Sequence, residues 1–274
     1  MNNSQGIAGM VVRPAAVAGF FYPQDPEELR GAVRQYLDMA PATGDPVTPK
    51  AVIAPHAGYI YSGLTAAIAY ASLLPPRRNA ITRVVLLGPA HRVYVRGLAL
   101  SSATHFSTPL GLIAIDQAAV AALQKLPQVI LSNPAHQQEH SLEVHLPFLQ
   151  CLLDKFTLVP LVVGEASPAE VAEILELLWG GPETLVVISS DLSHYHDYQT
   201  AQKIDAATTQ AIEQLKLENI HSNQACGCRP VTGLLQVART RHLQVKTLDV
   251  RNSGDTAGTR DRVVGYGAYA FYEG

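Results

Sequence analysis

A three-layer αβα sandwich, with helices on both faces of a mostly parallel or mixed sheet, is the fold class the sequence predicts. Two observations predict it. Short apolar runs rich in Val, Ile and Leu recur without an alternating polar face, as strands buried on both sides require. Longer amphipathic stretches separate them, the signature of strands joined by helices. In chain order, a helix over 26–39 is followed by a loop at 41–49 and a first buried strand at 51–54. A helix over 62–74 then leads to a strand at 84–87, and a helix over 117–126 precedes one at 142–155. Strands at 158–163 and 185–189 flank a helix over 168–178, whose start is marked by Ser167 as cap, Pro168 in the first turn and Glu170 as capping-box partner. Helices over 200–215 and 230–241 follow, and 244–250 and 263–272 read as late strands, the last closing the sheet. No internal repeat or long linker interrupts the pattern, so a single domain over 1–274 is expected.

Composition narrows the function classes. The chain has 274 residues, 47% of them hydrophobic and 16% charged, which excludes collagen-like, coiled-coil and disordered classes. A net charge of −3 lacks the basic excess that a phosphate backbone demands, so nucleic acid is not an expected partner. Three cysteines, Cys151, Cys226 and Cys228, are an odd set in a chain large enough to fold without staples, which points to a reducing, cytoplasmic setting. The opening residues 1–14 carry no basic-then-apolar secretory pattern, and the uncharged stretch 97–115 is too rich in Ser, Thr and His to span a membrane.

The chemistry is expected where buried strands end, because open α/β sheets bind ligands beyond the carboxyl ends of their strands. Three runs lead directly into ionisable groups: the first into Pro55-His56-Ala57-Gly58-Tyr59, the second into Gly88-Pro89-Ala90-His91, and the run ending at Ser189 into Ser190-Asp191-Leu192-Ser193-His194. If those strands are parallel neighbours, His56, His91, Asp191 and His194 meet on one rim. Cys226 stands just ahead of a helix start, a position that can lower a thiol's pKa and supply a thiolate. A thiolate with two neutral imidazoles makes a three-ligand site suited to zinc, iron or copper, with an open coordination position; an ordinary small buried cysteine is the alternative.

The cluster Glu139-His140-Ser141-Leu142-Glu143-Val144-His145 matches neither zinc-peptidase order. On a helix, His140 and Glu143 share a face while His145 lies about 140° around from His140; His140 is therefore the candidate pocket neighbour and His145 a structural residue. The glycine pattern at 265–270 imitates a dinucleotide fingerprint but lies in the terminal strand with no helix after it. There is no phosphate loop and no nucleophile elbow.

Six motifs in order, RPAAVAGFFYP, APHAGYIYSG, LLGPAH, EHSLEVHLPFLQ, SSDLSHY and CGCRP, resemble those of the Memo family, called AmmeMemoRadiSam system protein B in prokaryotes, and span residues 13–230. The resemblance implies a fold similar to class III extradiol dioxygenases of the LigB type and a metal-centred, dioxygenase-like pocket. It implies that His56, His91 and Cys226 bind the metal, with iron or copper favoured over zinc, and that Asp191 and His194 complete the pocket. In that reading His194, oriented by Asp191, transfers a proton, and Tyr59 and His140 contact substrate. It also implies an unknown small-molecule or peptide ligand, and an AMMECR1-domain protein and a radical S-adenosylmethionine protein as functional partners. LigB-type dioxygenases use a carboxylate where this chain offers Cys226. The leading expectation is an iron- or copper-dependent oxidoreductase. The alternatives are a non-catalytic peptide-binding or redox-metal-handling module, and a zinc-assisted hydrolase.

Overall fold

The computed structural model describes residues 9–41 and 47–274. Residues 1–8 of the stretch read for a targeting signal, and 42–46 of the expected 41–49 loop, lie outside the described residues. Twelve strands are described: β1 (Val12–Arg13), β2 (Ala51–Ala54), β3 (Arg83–Pro89), β4 (Leu98–Leu100), β5 (His105–Thr108), β6 (Gly111–Ala114), β7 (Val129–Leu131), β8 (Thr157–Val163), β9 (Thr184–Ser189), β10 (His194–His196), β11 (Gln244–Asn252) and β12 (Val263–Tyr272). Nine of them form a mixed sheet in which β12-β2-β9-β3-β8-β4-β7 run side by side, while β10 and β11 both pair with β12. The four expected buried runs are β2, β9, β3 and β8, adjacent and mutually parallel. Every residue of β2 and β9 is buried, which is why neither alternates in sequence. Antiparallel β12 on one flank and β4 on the other make the sheet mixed.

Helices cover the sheet in two outer layers. Pro26–Met39, Tyr59–Ala71 and Leu146–Leu152 pack together as one; Pro168–Leu178 and Cys228–Arg241 pack as the other. Pro26–Met39 and Pro168–Leu178 have the expected bounds, the first capped by the Asp25 carboxylate and the second by the reciprocal Ser167–Glu170 capping box. The expected helix over 142–155 is shorter. A 3₁₀ turn at Glu143–His145 feeds a helix limited to Leu146–Leu152, because Pro147 has no backbone N–H to donate and fits only the first turn. A smaller sheet, β1-β5-β6, has its own ladder and meets the main sheet where β6 packs beside β8. Among the described residues no helix is long and apolar enough to cross a membrane.

Two histidines are sealed into this framework. His136 bonds the Ala99 carbonyl through Nε2 at 2.9 Å, and His145 bonds the Tyr70 hydroxyl through Nδ1 at 2.8 Å. Burial pushes His136 down to about 4 and His145 down to about 3. The unfolded chain takes up these protons near pH 6.5, whereas the folded chain resists until about pH 4 and 3, so between those values the unfolded state binds more protons. Stability is therefore complete above about pH 6.5 and falls as the pH drops toward 4, by on the order of a few kcal/mol. Urea midpoints measured from pH 7.5 to 4.5 check this; a midpoint that does not fall across that range contradicts it.

Candidate metal centre

The carboxyl ends of adjacent parallel strands open on one rim, and β2, β9 and β3 are adjacent. The chain leaves β2 into Pro55-His56, β9 into Ser190-Asp191 and β3 into Ala90-His91, so the three motifs meet as the sequence predicts. Cys226 reaches the same rim from the segment before Cys228–Arg241. One ligand atom from each of His56, His91 and Cys226 lies within 4.8 Å of the others. The Cys226 sulfur is 3.5 Å from His56 Nε2.

Neighbouring groups fix which ring nitrogen each histidine presents. Ser189 Oγ lies 2.6 Å from the Ser141 carbonyl oxygen and 2.6 Å from His56 Nδ1. The hydroxyl has one proton and the carbonyl can only accept, so Ser189 donates to Ser141 and His56 Nδ1–H donates to Ser189. His56 Nε2 is left with its lone pair toward Cys226. His91 Nδ1 lies 2.9 Å from Glu139 Oε1, and the His91 backbone N–H donates to Oε2 at 2.6 Å. The carboxylate makes Nδ1 the donor and leaves Nε2 as the free lone pair. Tying back the far nitrogen in this way is how proteins orient metal-binding imidazoles.

Asp191 joins the third ligand to the first. Its Oδ1 accepts the His56 backbone N–H at 2.8 Å, and its own N–H donates to the Cys226 sulfur at 3.3 Å. Burial pushes its carboxyl up, with His194 pulling the other way. The helix start does not make Cys226 a thiolate. The helix begins at Cys228 with Gly227 as its cap, and burial, followed by the Asp191 carboxylate, pushes the Cys226 thiol well above its ordinary value. A bound cation supplies the opposite push. Gly227 is required here, since a Cβ would meet the Ser189 carbonyl oxygen at 2.5 Å.

The structure places the other candidates unevenly. His140 belongs to the cluster, stacked on His91 at 4.8 Å between ring centroids and 5.4 Å from His56, with Phe21 on it at 4.7 Å. Its buried Nδ1 has no hydrogen-bond partner among the described residues, and burial brings the ring down to about 4. His145, as expected, stays away, bonded to Tyr70. Tyr59 does not reach the pocket. The helix starts at Tyr59 itself and turns the ring into the core, where its hydroxyl donates to the Val144 carbonyl at 2.8 Å and the ring packs on Phe148. His194 interacts electrostatically with Asp191, while its described hydrogen bond is to the main chain. His194 Nδ1–H donates to the Leu192 carbonyl at 2.8 Å, and the loop is braced by buried Asp205, which accepts the Ser193 N–H at 3.0 Å. Reading the sequence left Glu139 and Ser189 without roles, although both stand inside motifs already singled out, EHSLEVHLPFLQ and SSDLSHY.

The three donors suit a transition ion: two imidazoles with preset lone pairs and one soft sulfur, closely spaced. A family match and full-length relatives agree on kinship. Residues 13–270 match the family described as Memo-like protein. A MEMO1 family protein of Aquifex aeolicus is 36% identical over 269 residues, covering 94% of this chain and 98% of the relative. A MEMO1 family protein of Archaeoglobus fulgidus is 37% identical over 276 residues, covering 95% and 99%. Among solved structures, an uncharacterized protein from Escherichia coli K12 aligns at 15% identity with a TM-score of 0.48, over 80% of this chain and 99% of that one.

Proposed function

The chain belongs to the Memo-like protein family, and from that premise we propose that it is a metal-dependent, dioxygenase-like oxidoreductase in which His56, His91 and Cys226 hold one iron or copper ion. The observation that carries this reading is the fixed tautomer of both imidazoles. Ser189 and Glu139 occupy the two Nδ1 atoms, His56 Nε2 lies 3.5 Å from the Cys226 sulfur, and one ring nitrogen of His91 lies within 4.8 Å of both ligand atoms. When bound, such an ion supplies Lewis acidity and a redox couple.

The protein's own groups do the rest. Asp191 holds the Cys226 sulfur through its backbone N–H and the His56 main chain through its carboxylate. His194, with Nδ1–H committed to Leu192, keeps Nε2 to accept a proton from a substrate, as a general base requires. His140 walls the pocket as a neutral ring stacked on His91.

Metal analysis of anaerobically purified protein beside Cys226→Ser and His56→Ala tests the assignment. Near-stoichiometric iron or copper in the parent and its loss from both variants is expected. Unchanged metal in both variants overturns the site, and zinc alone in the parent turns the reading toward hydrolysis. The soft thiolate donor also suits a protein that carries a redox metal without turnover. His194→Ala separates the two, since full biological complementation by that variant leaves no need for proton transfer.

A further inference from the structure

Opposite the metal rim, at the amino ends of the parallel strands, a cavity of about 300 Å³ lies between the short helix Arg77–Ala80 and the loop that leads from Leu152 into β8. Its frame is fixed. β3 and β8 pair from Arg83 and Thr157 onward, and the Thr157 N–H donates to the Thr82 carbonyl at 2.9 Å, so the two loops keep their spacing. The stretch 77–83 holds three arginines, and two of them are already engaged: Arg83 bonds the Asp116 carboxylate at 2.8 Å and Arg77 pairs with Glu273 at 3.6 Å. Arg78 differs. It lines the cavity half-buried, and its Nε is buried without a hydrogen-bond partner among the described residues. No ion pair among the described residues engages its guanidinium or the Lys155 ammonium, which lines the same cavity. Buried donors are nearly always paired, so a guanidinium donor left without an acceptor in a packed wall marks a place for one.

We propose that this cavity binds a small hydroxylated phosphate monoester, with the phosphate on Arg78 and Lys155 and a hydroxyl on Asp154. A guanidinium presents a planar fork that matches two phosphate oxygens, and an ammonium adds a compact charge, so the pair balances the charge of a phosphate monoester. Asn79 and Thr82 also line the cavity and supply neutral donors. Asp154 is the acidic residue in the lining. A carboxylate repels phosphate but accepts from a hydroxyl, which favours a ligand with both groups over a bare anion. The volume of about 300 Å³ stands at the lower end of small-molecule pockets and is larger than inorganic phosphate needs. Ile81 and Leu152 give the apolar wall against which a short carbon chain rests. The site lies at the other end of the strands from His56 and His91 and does not rest on the metal-site reading.

Isothermal titration calorimetry of the full-length protein in a phosphate-free, low-salt buffer tests this with glycerol 3-phosphate, inorganic phosphate and glycerol as probes. Saturable binding of one glycerol 3-phosphate per chain is expected, with inorganic phosphate weaker and glycerol without a signal. Arg78→Ala is expected to weaken binding about tenfold or more and Lys155→Ala several-fold, the scale of a lost charge-assisted hydrogen bond. Arg78→Lys keeps the charge without the fork and should not restore the parent affinity. Arg77→Ala should leave binding at the parent value, because that guanidinium serves Glu273. Absence of saturable binding overturns the proposal, as does an affinity that neither Arg78→Ala nor Lys155→Ala lowers. Inorganic phosphate binding as tightly as the ester overturns the role given to Asp154. Loss of ester binding in Cys226→Ser or His56→Ala would place the ester at the metal centre and overturn the site as well. Circular dichroism checks each fold, and Lys155, exposed and outside helix and strand, carries the test if Arg78→Ala does not fold.

Discussion

Replacing Glu143 by Ala is expected to remove about 3–5 kcal/mol of folding stability, the range seen when one partner of a buried ion pair is deleted. The side chain is fully buried and its two oxygens serve four donors. It pairs with the Arg13 guanidinium, accepts the backbone N–H groups of Ala16 at 2.8 Å and Val17 at 3.0 Å, and accepts the Tyr22 hydroxyl at 2.5 Å. Arg13 also donates to the carbonyls of His136 at 3.0 Å and Glu139 at 2.6 Å, so it cannot swing out to water without giving up those bonds. Alanine therefore strands a buried cation, two main-chain donors and a phenol together, against a total stability of about 5–15 kcal/mol for a folded domain. Urea unfolding measures the loss, and a change below about 1 kcal/mol would contradict the role assigned to the carboxylate. The consequence reaches the metal centre, because the same N-terminal segment carries Phe21 against His140 and its main chain accepts the Tyr59 N–H at 2.8 Å. Glu143→Gln keeps one acceptor oxygen but turns an amide N–H₂ toward donors, and its loss should fall between those of the parent and the alanine variant.

That pair also marks the limit of what the amino-acid order conveys. The parallel centre of the sheet was legible because β2, β9, β3 and β8 are buried on both faces and so appear as unbroken apolar runs. Their carboxyl ends carried His56, His91 and Asp191 to one rim by geometry alone. The short strands β1, β4, β7 and β10 were not legible, since two or three residues hold too little periodicity to show. Pro147 was a readable first-turn marker, showing where the helix starts, that the apolar run around it concealed. Tyr59 was misplaced because spacing from His56 says nothing about which way the first turn of a helix rolls its ring. Arg13 with Glu143, Ser189 with His56 and Glu139 with His91 are bonds between positions 130, 133 and 48 residues apart. Pairings of that range come from the packed fold, which is why the supporting residues stayed silent while the ligands did not.

Glu139→Gln should weaken metal binding by roughly 10- to 100-fold while leaving one site per chain, the usual cost of losing a carboxylate that backs a metal-binding imidazole. In the parent, Oε1 accepts from His91 Nδ1–H at 2.9 Å and from the His140 and Ser141 backbone N–H groups at 3.0 and 2.9 Å, while Oε2 accepts the His91 N–H at 2.6 Å. Burial alone pushes this carboxyl up, but the bonds from His91 and its neighbours overcome it and hold it down at about 2, so it is an anion throughout the working pH range. The anion does two things for His91. It fixes the tautomer that leaves Nε2 unprotonated, and it holds the ring in the orientation that presents that lone pair. Glutamine has one acceptor oxygen for sites that took two, and its N–H₂ must face either the His91 backbone N–H or the ring Nδ1–H. Either way the ring rotates or changes tautomer, and the negative charge behind it is gone. Competition titration against a chelator of known affinity reads the effect, with circular dichroism confirming the fold. Unchanged affinity in a folded Glu139→Gln protein would mean that His91 is not a ligand, whereas complete loss equal to that of Cys226→Ser would mean that Glu139 binds the ion directly, as the close approach of His91, Glu139 and His140 donor atoms would permit.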